Sequence, residues 1–306
     1  MNSQAHAVFA GGETIERPAG ALVQPFNIRA LLSRLPKAET TNLAAPAAVL
    51  AVIALCALAP GLIAPYDPAD MDVQALLAPP SAAHPFGTDH LGRDLFSLII
   101  HGARQSVMVA VGAVVVGTLI GGAIGLLTGY VGRWIDTAFM RALDIWLAVP
   151  DVLLVIIIAT ALRANLFNMV LTIGIVSVPR YARVMRAQVI AIKNRPFVQA
   201  ARAIGASDAT ILLRHILPHS LSPMLVLATL GIGMAAQTGA ALSFIGLGLV
   251  ADIPDWGYLL NQARSYLSVA WWFGAFPGLA ITLLVIAANL LGNALRQRLD
   301  PRGRTR

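Results

Sequence analysis

Apolar residues in this chain gather in long runs, neither alternating as in a half-buried strand nor spaced along one helix face. Residues 41–66, 106–132, 221–250 and 270–295 contain no charged side chain. Residues 137–162 are as apolar but are interrupted by Arg141, Asp144 and Asp151. Residues 165–179 are uncharged and short, so a helix there must continue through 181–192. A bilayer core about 30 Å thick takes roughly 20 helical residues. The pattern therefore predicts an all-α polytopic membrane protein with six transmembrane helices, occupying 41–300 between an N-terminal tail (1–40) and a C-terminal tail (301–306).

Composition agrees. Charged residues make up 12% of the 306 and hydrophobic ones 57%, with a mean hydropathy of +0.73. A soluble domain carries roughly a quarter charged residues. The net charge of +7 lies between the apolar runs and forms no single basic face, so it reads as membrane topology and not as nucleic-acid binding. With the N-terminus in the cytoplasm, eighteen Lys and Arg residues fall on that side, and only Arg93, Arg104, Arg163 and Arg264 fall outside. Both termini are thus expected in the cytoplasm. Cys56 is the single cysteine, in the first apolar run, and reads as a small hydrophobe. Residues 1–40 mix acidic, basic and apolar groups without the apolar core of a cleavable signal, and 26–35 read as an interfacial amphipathic helix.

Small residues recur every fourth position at Gly117, Gly121, Gly125 and Gly129, and again at Gly231, Ala235, Gly239 and Ser243. Such ridges let another backbone come close, within the body, beside a pathway or against a second subunit. Gln237 and Thr238, beside the second ridge, are the polar groups expected to face a pathway. Asp151 follows Pro150 at depth and has two readings: an intramembrane functional group, or a cap on a helix restarted after the proline. Arg141 and Asp144 are spaced to pair on one helix face. Arg180, Arg183 and Arg186 read as a solvated or headgroup-facing stripe.

Residues 193–220 predict an elbow of two short helices on the cytoplasmic side. Asn194 or Arg195 caps the first, with Pro196 in its first turn, and Gly205 ends it. Ser207 or Asp208 caps the second, which is expected to reach Leu217 before Pro218. Ala200 and Ala201 keep the first helix thin enough to enter a groove on another protein. On the outside, Gly87 and Gly92 permit turns, while Asp89, Arg93 and Asp94 can pair with each other or with backbone groups. That loop reads either as a self-stapled structure or as a receptor surface. His84, His90 and His101 also admit a metal reading, although nothing in the sequence fixes their geometry.

The run Gln199-Ala200-Ala201, Gly205 and then Ile216-Leu217-Pro218 resembles the "EAA" loop of ATP-binding-cassette importer permeases. Gln199 stands where that pattern has Glu, and His215 where it has an aliphatic residue. The segment from His84 to Asp94, with Gly102 to Ser106, is similar to the C-type subunit of dipeptide, oligopeptide and nickel permeases. Tyr181-Ala182-Arg183, Leu242 to Gly248, Trp256-Gly257 and Leu299 to Arg302 extend the likeness over about 44–302. The resemblance implies an importer permease fold with a cytoplasmic coupling helix at Gln199, Ala200, Ala201, Gly205, Leu217 and Pro218. It also implies a second permease subunit as heterodimer partner, two ATPase subunits carrying ATP and Mg, an external substrate-binding protein, and a bacterial or archaeal plasma (inner) membrane.

The chain itself has no Gly-x-x-x-x-Gly-Lys-[Ser/Thr] loop for nucleotide phosphates, no His-Glu-x-x-His and no Gly-x-Ser-x-Gly. It is expected to bind no cofactor and to hydrolyse nothing. Di- or oligopeptides are the expected solute class, with nickel or a metal chelate as the alternative within the family. An ion-driven transporter is the rival from another class; it would want paired midplane carboxylates or broken helices in two halves.

Overall fold

A computed structural model describes residues 43–248 and 254–299. Among them there is no β-strand, only one bridge between Thr88 and Asp94. The helices are α1 (Ala44–Leu58), α2 (Leu95–Val131), α3 (Arg133–Ala148), α4 (Asp151–Ala161), α5 (Leu166–Lys193), α6 (Pro196–Ala203), α7 (Asp208–Phe244), α8 (Trp256–Ala263) and α9 (Trp271–Leu299). The expected amphipathic helix at 26–35 lies outside the described residues.

Three helices, α2, α7 and α9, are long and apolar enough to cross a bilayer alone. The α3–α4 pair makes a fourth when taken as one span bent by 88°. The bend sits at Val149 and Pro150: Val149 is extended (φ −90°, ψ 130°), as a residue before proline prefers, and no α-helical bond bridges the corner. α1 is apolar but has 15 residues. α5 has 28 residues and carries Arg180, Arg183, Arg186 and Lys193 in its second half.

Two boundaries differ from expectation. Residues 95–105, placed outside and before the span expected at 106–132, are the first turns of α2. Asp94 caps that helix, and Leu95, Leu98 and Ile100 are buried. The second elbow helix does not stop at Pro218. It continues through a π-helical segment, Ile211–Ile216, and is the start of the long α7. Widening the turn there gives the proline ring, and the carbonyl it would strike, the room an α-helical register denies.

The body is built on the α2–α5 seam. A Cβ added at Gly121 would stand 2.6 Å from the Val178 carbonyl oxygen, one at Gly125 2.3 Å from that of Ala182, and one at Gly117 2.2 Å from Ser177 Oγ. The first small-residue ridge is therefore filled by α5 of the same chain, not by a second subunit. α7 packs on both α2 and α5, α9 on α7, and α1 lies against α2 and α9. This arrangement puts the α3–α4 bend over the C-terminal half of α5.

Candidate functional site

α6 starts at Pro196, whose missing N–H costs nothing in a first turn. It ends in a Schellman arrangement: Ala206 N donates to Ala201 O and Gly205 N to Arg202 O, both at 3.1 Å, with Gly205 at φ +82°. Ser207 caps the helix that follows, its Oγ accepting from Thr210 N at 3.3 Å. Val198 and Ala201 face inward, whereas Phe197, Gln199, Ala200 and Ile204 are uncovered, Ile204 to 86%. Gln199 Nε2 donates to Asn194 O at 3.3 Å. Just after the π segment, α7 adds Leu217, half-buried, and Pro218, exposed. The elbow is tied to the end of α2: Tyr130 donates its hydroxyl to Asp208, and Lys193 Nζ donates to the Tyr130 carbonyl.

Above the elbow, Arg180, Arg183 and Arg186 form a partly exposed stripe, and every member of it is paired. Each meets a carboxylate of the bent pair α3–α4: Arg186 grips Asp136 with two nitrogens (Nη2 to Oδ2, 2.6 Å), Arg183 holds Asp144, and Arg180 Nη2 stands 3.5 Å from Asp151 Oδ2. Asp144 thus pairs across helices and not with Arg141, because the facing guanidinium reaches it better than a neighbour three residues along the same helix. The ladder loosens on going from the two-nitrogen grip at Arg186 to the single 3.5 Å contact at Arg180. Asp151 makes no capping bond, so it is not the cap of the restarted helix.

Asp151 and Arg180 line a cavity of about 80 Å³ with Ser177, Tyr181, Gly231, Ala235 and Thr238 and walls of Val114, Val155 and Ile173. Their side chains are 48% and 38% exposed. A lone charge facing lipid at a helix centre costs about 2.5–3.5 kcal/mol on insertion scales, so such groups belong against water or protein. Gly231 is needed for packing, since a Cβ there would stand 2.2 Å from the Tyr181 hydroxyl. Gln237, expected beside the pathway, is exposed and does not line this cavity. Gly239 packs on Val109 and Met169, and Ser243 Oγ donates to the buried Asp255 at 2.6 Å.

The loop before α2 is a closed network. Asp89 accepts from Leu91 N (2.8 Å), Arg93 N (2.9 Å) and Arg93 Nε (2.8 Å), and Arg93 Nη2 adds a 2.7 Å contact. Asp94 accepts from Ser97 N (2.8 Å) and Ser97 Oγ (2.7 Å), and its other oxygen meets His84 Nδ1 at 3.0 Å. Gly87 and Gly92 turn at φ +76° and +77°, and a Cβ at Gly92 would fall 1.9 Å from Asp72 O. His90 stacks on Tyr266 and Phe273. Among the described residues no three His, Cys, Asp or Glu side chains converge as metal ligands would.

Residues 121–305 match the family described as "Binding-protein-dependent transport system inner membrane component". The chain is 45% identical over 223 residues to the dipeptide transport system permease protein DppC of Alkalihalophilus pseudofirmus, covering 73% of each. It is 42% identical over 240 residues to the probable D,D-dipeptide transport system permease protein DdpC of Escherichia coli (78% of this chain, 80% of that protein). It is 43% identical over 255 residues to the glutathione transport system permease protein GsiD of Pectobacterium atrosepticum (83% and 84%). The family match together with the apolar helices identifies a multi-pass membrane protein. The chain belongs to the family of binding-protein-dependent transport system inner membrane components.

Proposed function

We propose that this chain is one of two permease subunits in an ATP-driven importer of di- or oligopeptides. The observation that carries the coupling half of this reading is α6, a short capped helix seated on Val198 and Ala201 with Phe197, Ala200 and Ile204 left uncovered. The names of the relatives support the solute half, since dipeptides, D,D-dipeptides and glutathione are all small peptides.

In this reading α1, α2, α3–α4, α5, α7 and α9 are the six spans and both termini are cytoplasmic. The bias of Lys and Arg toward one side supports that orientation. ATP and Mg sit on two partner ATPase subunits, whose closure pulls α6 of each permease. The pull reaches the spans through the continuous α7 and through the Tyr130–Asp208 link to α2. Nucleotide can shift the spans only if the ATPases grip α6 differently in the two states. An external substrate-binding protein delivers the solute against the loop of Gly87, Asp89, Gly92, Arg93 and Asp94. Gln199 in place of a carboxylate leaves α6 without an acidic contact to its ATPase there, so apolar fit carries the docking.

The test is uptake of labelled dialanine into proteoliposomes holding the whole transporter. Uptake should need ATP on the ATPase side and survive a protonophore. Gly205→Pro should abolish it while the complex still co-purifies. Uptake driven by a proton gradient without ATP would overturn the reading, and full activity in the Gly205→Pro complex would overturn the role of the elbow.

A further inference from the structure

Asp151 and Arg180 share an unusual position. Each directly follows a proline: Pro150 at the break between α3 and α4, and Pro179 inside the continuous α5. Arg180 lies about 20 Å from either end of α5 at 1.5 Å per residue, so the pair sits at mid-helix. Broken helices at that depth are where transporters build solute sites. Arg186 holds Asp136 with two nitrogens, whereas this pair shares a single 3.5 Å contact and lines a cavity. Arg180 has five N–H donors. One faces Asp151, and another faces Met234 Sδ at 2.8 Å.

We propose that Asp151 and Arg180 form the solute-contacting site of this subunit, Arg180 receiving the carboxylate and Asp151 the ammonium group of a small zwitterion. The inference rests on the peptide-import reading above. One anion beside one cation suits a molecule with both charges, while a free cation would be repelled by Arg180 and a free anion by Asp151. Val114, Val155 and Ile173 give the apolar walls that side chains of a peptide would meet, and Ser177, whose hydroxyl donates to Gly174 O, and Thr238 give oxygens that can accept from its N–H groups. A cavity of about 80 Å³ is too small for a dipeptide, so the two charges must part for one to enter. The prolines let the pair part: each frees its span from one backbone bond beside the charged residue. When solute leaves, the pair recloses and no naked charge faces the pathway.

The experiment compares Asp151→Asn, Arg180→Gln and the double variant in the reconstituted transporter, measuring dialanine uptake and ATP hydrolysis stimulated by the loaded binding protein. Each single variant should lose about tenfold or more of uptake, as expected for a lost charge-assisted hydrogen bond. Stimulated ATP hydrolysis should persist. The double variant separates a site from a strut. A structural pair tolerates neutralising both members, whereas a solute site stays defective. Uptake by Asp151→Asn/Arg180→Gln within about threefold of the parent would therefore overturn the proposal. If neutral variants fail to assemble, Asp151→Glu and Arg180→Lys serve: both keep charge and shift its position, so an altered KM for dialanine supports the site and unchanged KM and rate overturn it. If the unmutated transporter imports no peptide, the peptide reading itself fails; if it imports dialanine and the double variant does too, only the site fails.

Discussion

Asp89–Arg93 and Asp151–Arg180 are the same chemical pair put to opposite uses. In the loop before α2, Asp89 and Arg93 are 0% and 7% exposed and are joined by two charged contacts under 3 Å, with two backbone N–H groups completing the carboxylate. At the α3–α4 bend the side chains are 48% and 38% exposed and share one contact of 3.5 Å. A carboxylate whose lone pairs are all taken can only hold structure. One with lone pairs to spare, in a place where lipid cannot be its neighbour, is available to something that passes. Saturation, more than residue type, separates a staple from a site.

The difference is open to direct attack on stability. Asp89→Ala should cost about 3–5 kcal/mol, because it strands a buried guanidinium and two backbone donors. Asp151→Asn should change stability by no more than about 1 kcal/mol, since an exposed, single-contact pair is weak. Denaturation of the two purified variants side by side is the measurement. Equal losses would erase the distinction between the regions.

The α2–α5 seam belongs with the saturated loop. Gly125→Leu forces a side chain into the Ala182 carbonyl, and overpacking of this kind costs about 1–3 kcal/mol or more. The variant should accumulate poorly in the membrane when expressed alone. Normal accumulation alone, with loss only of co-purification with the second permease, would move the ridge from the core to the subunit interface.

The elbow belongs with the open cavity. Nothing lies within 4 Å of a Cβ built at Gly205, so its φ of +82° is the whole constraint. Gly205→Ala should cost roughly 1–2 kcal/mol, confined to α6. Hydrogen exchange should quicken over residues 196–206 and uptake should fall, with the α2–α5 seam unchanged. Exchange that quickens throughout would mean the elbow is part of the core.

Much of this was legible beforehand, for physical reasons. Uncharged runs marked α2, α7 and α9, the three helices long and apolar enough to cross a bilayer alone, and local cap chemistry fixed α6 to within a residue: Pro196 at its start, Gly205 and Ser207 after it. The ladder was not legible, because Asp136, Asp144 and Asp151 find their partners 50, 39 and 29 residues away. A local spacing rule gave Asp144 to Arg141 instead. Two series, acids at 136, 144 and 151 and arginines at 186, 183 and 180, were nevertheless visible as facing sets had α3–α4 been folded back on α5. Pro218 misled for a related reason: a proline ends an α-helix, but a π segment carries it through. Of the cavity, Asp151, Gly231 and Ala235 were named, Thr238 was paired with Gln237, and Arg180 was read as surface.

Asp255 falls between the two cases and yields the smallest effect. It is as buried as Asp89 but has no cation; Ser243 Oγ at 2.6 Å and Tyr258 N at 2.7 Å satisfy it while it caps α8, beyond the end of α7. Burial pushes its carboxyl above the ordinary value of 3.8, against the pull of those hydrogen bonds. The folded state therefore holds the proton more tightly than the unfolded chain does. The contribution of Asp255 is fully present below that ordinary value and declines as pH rises through the raised one. Asp255→Asn keeps an acceptor and removes the charge. The thermal midpoint of the parent should gain on that of the variant as pH falls from neutrality into the acid range, by less than the Asp89 effect. Parallel pH profiles would mean that hydrogen bonds alone hold the Asp255 carboxylate as well as a guanidinium holds that of Asp89, and saturation would then need no cation at all.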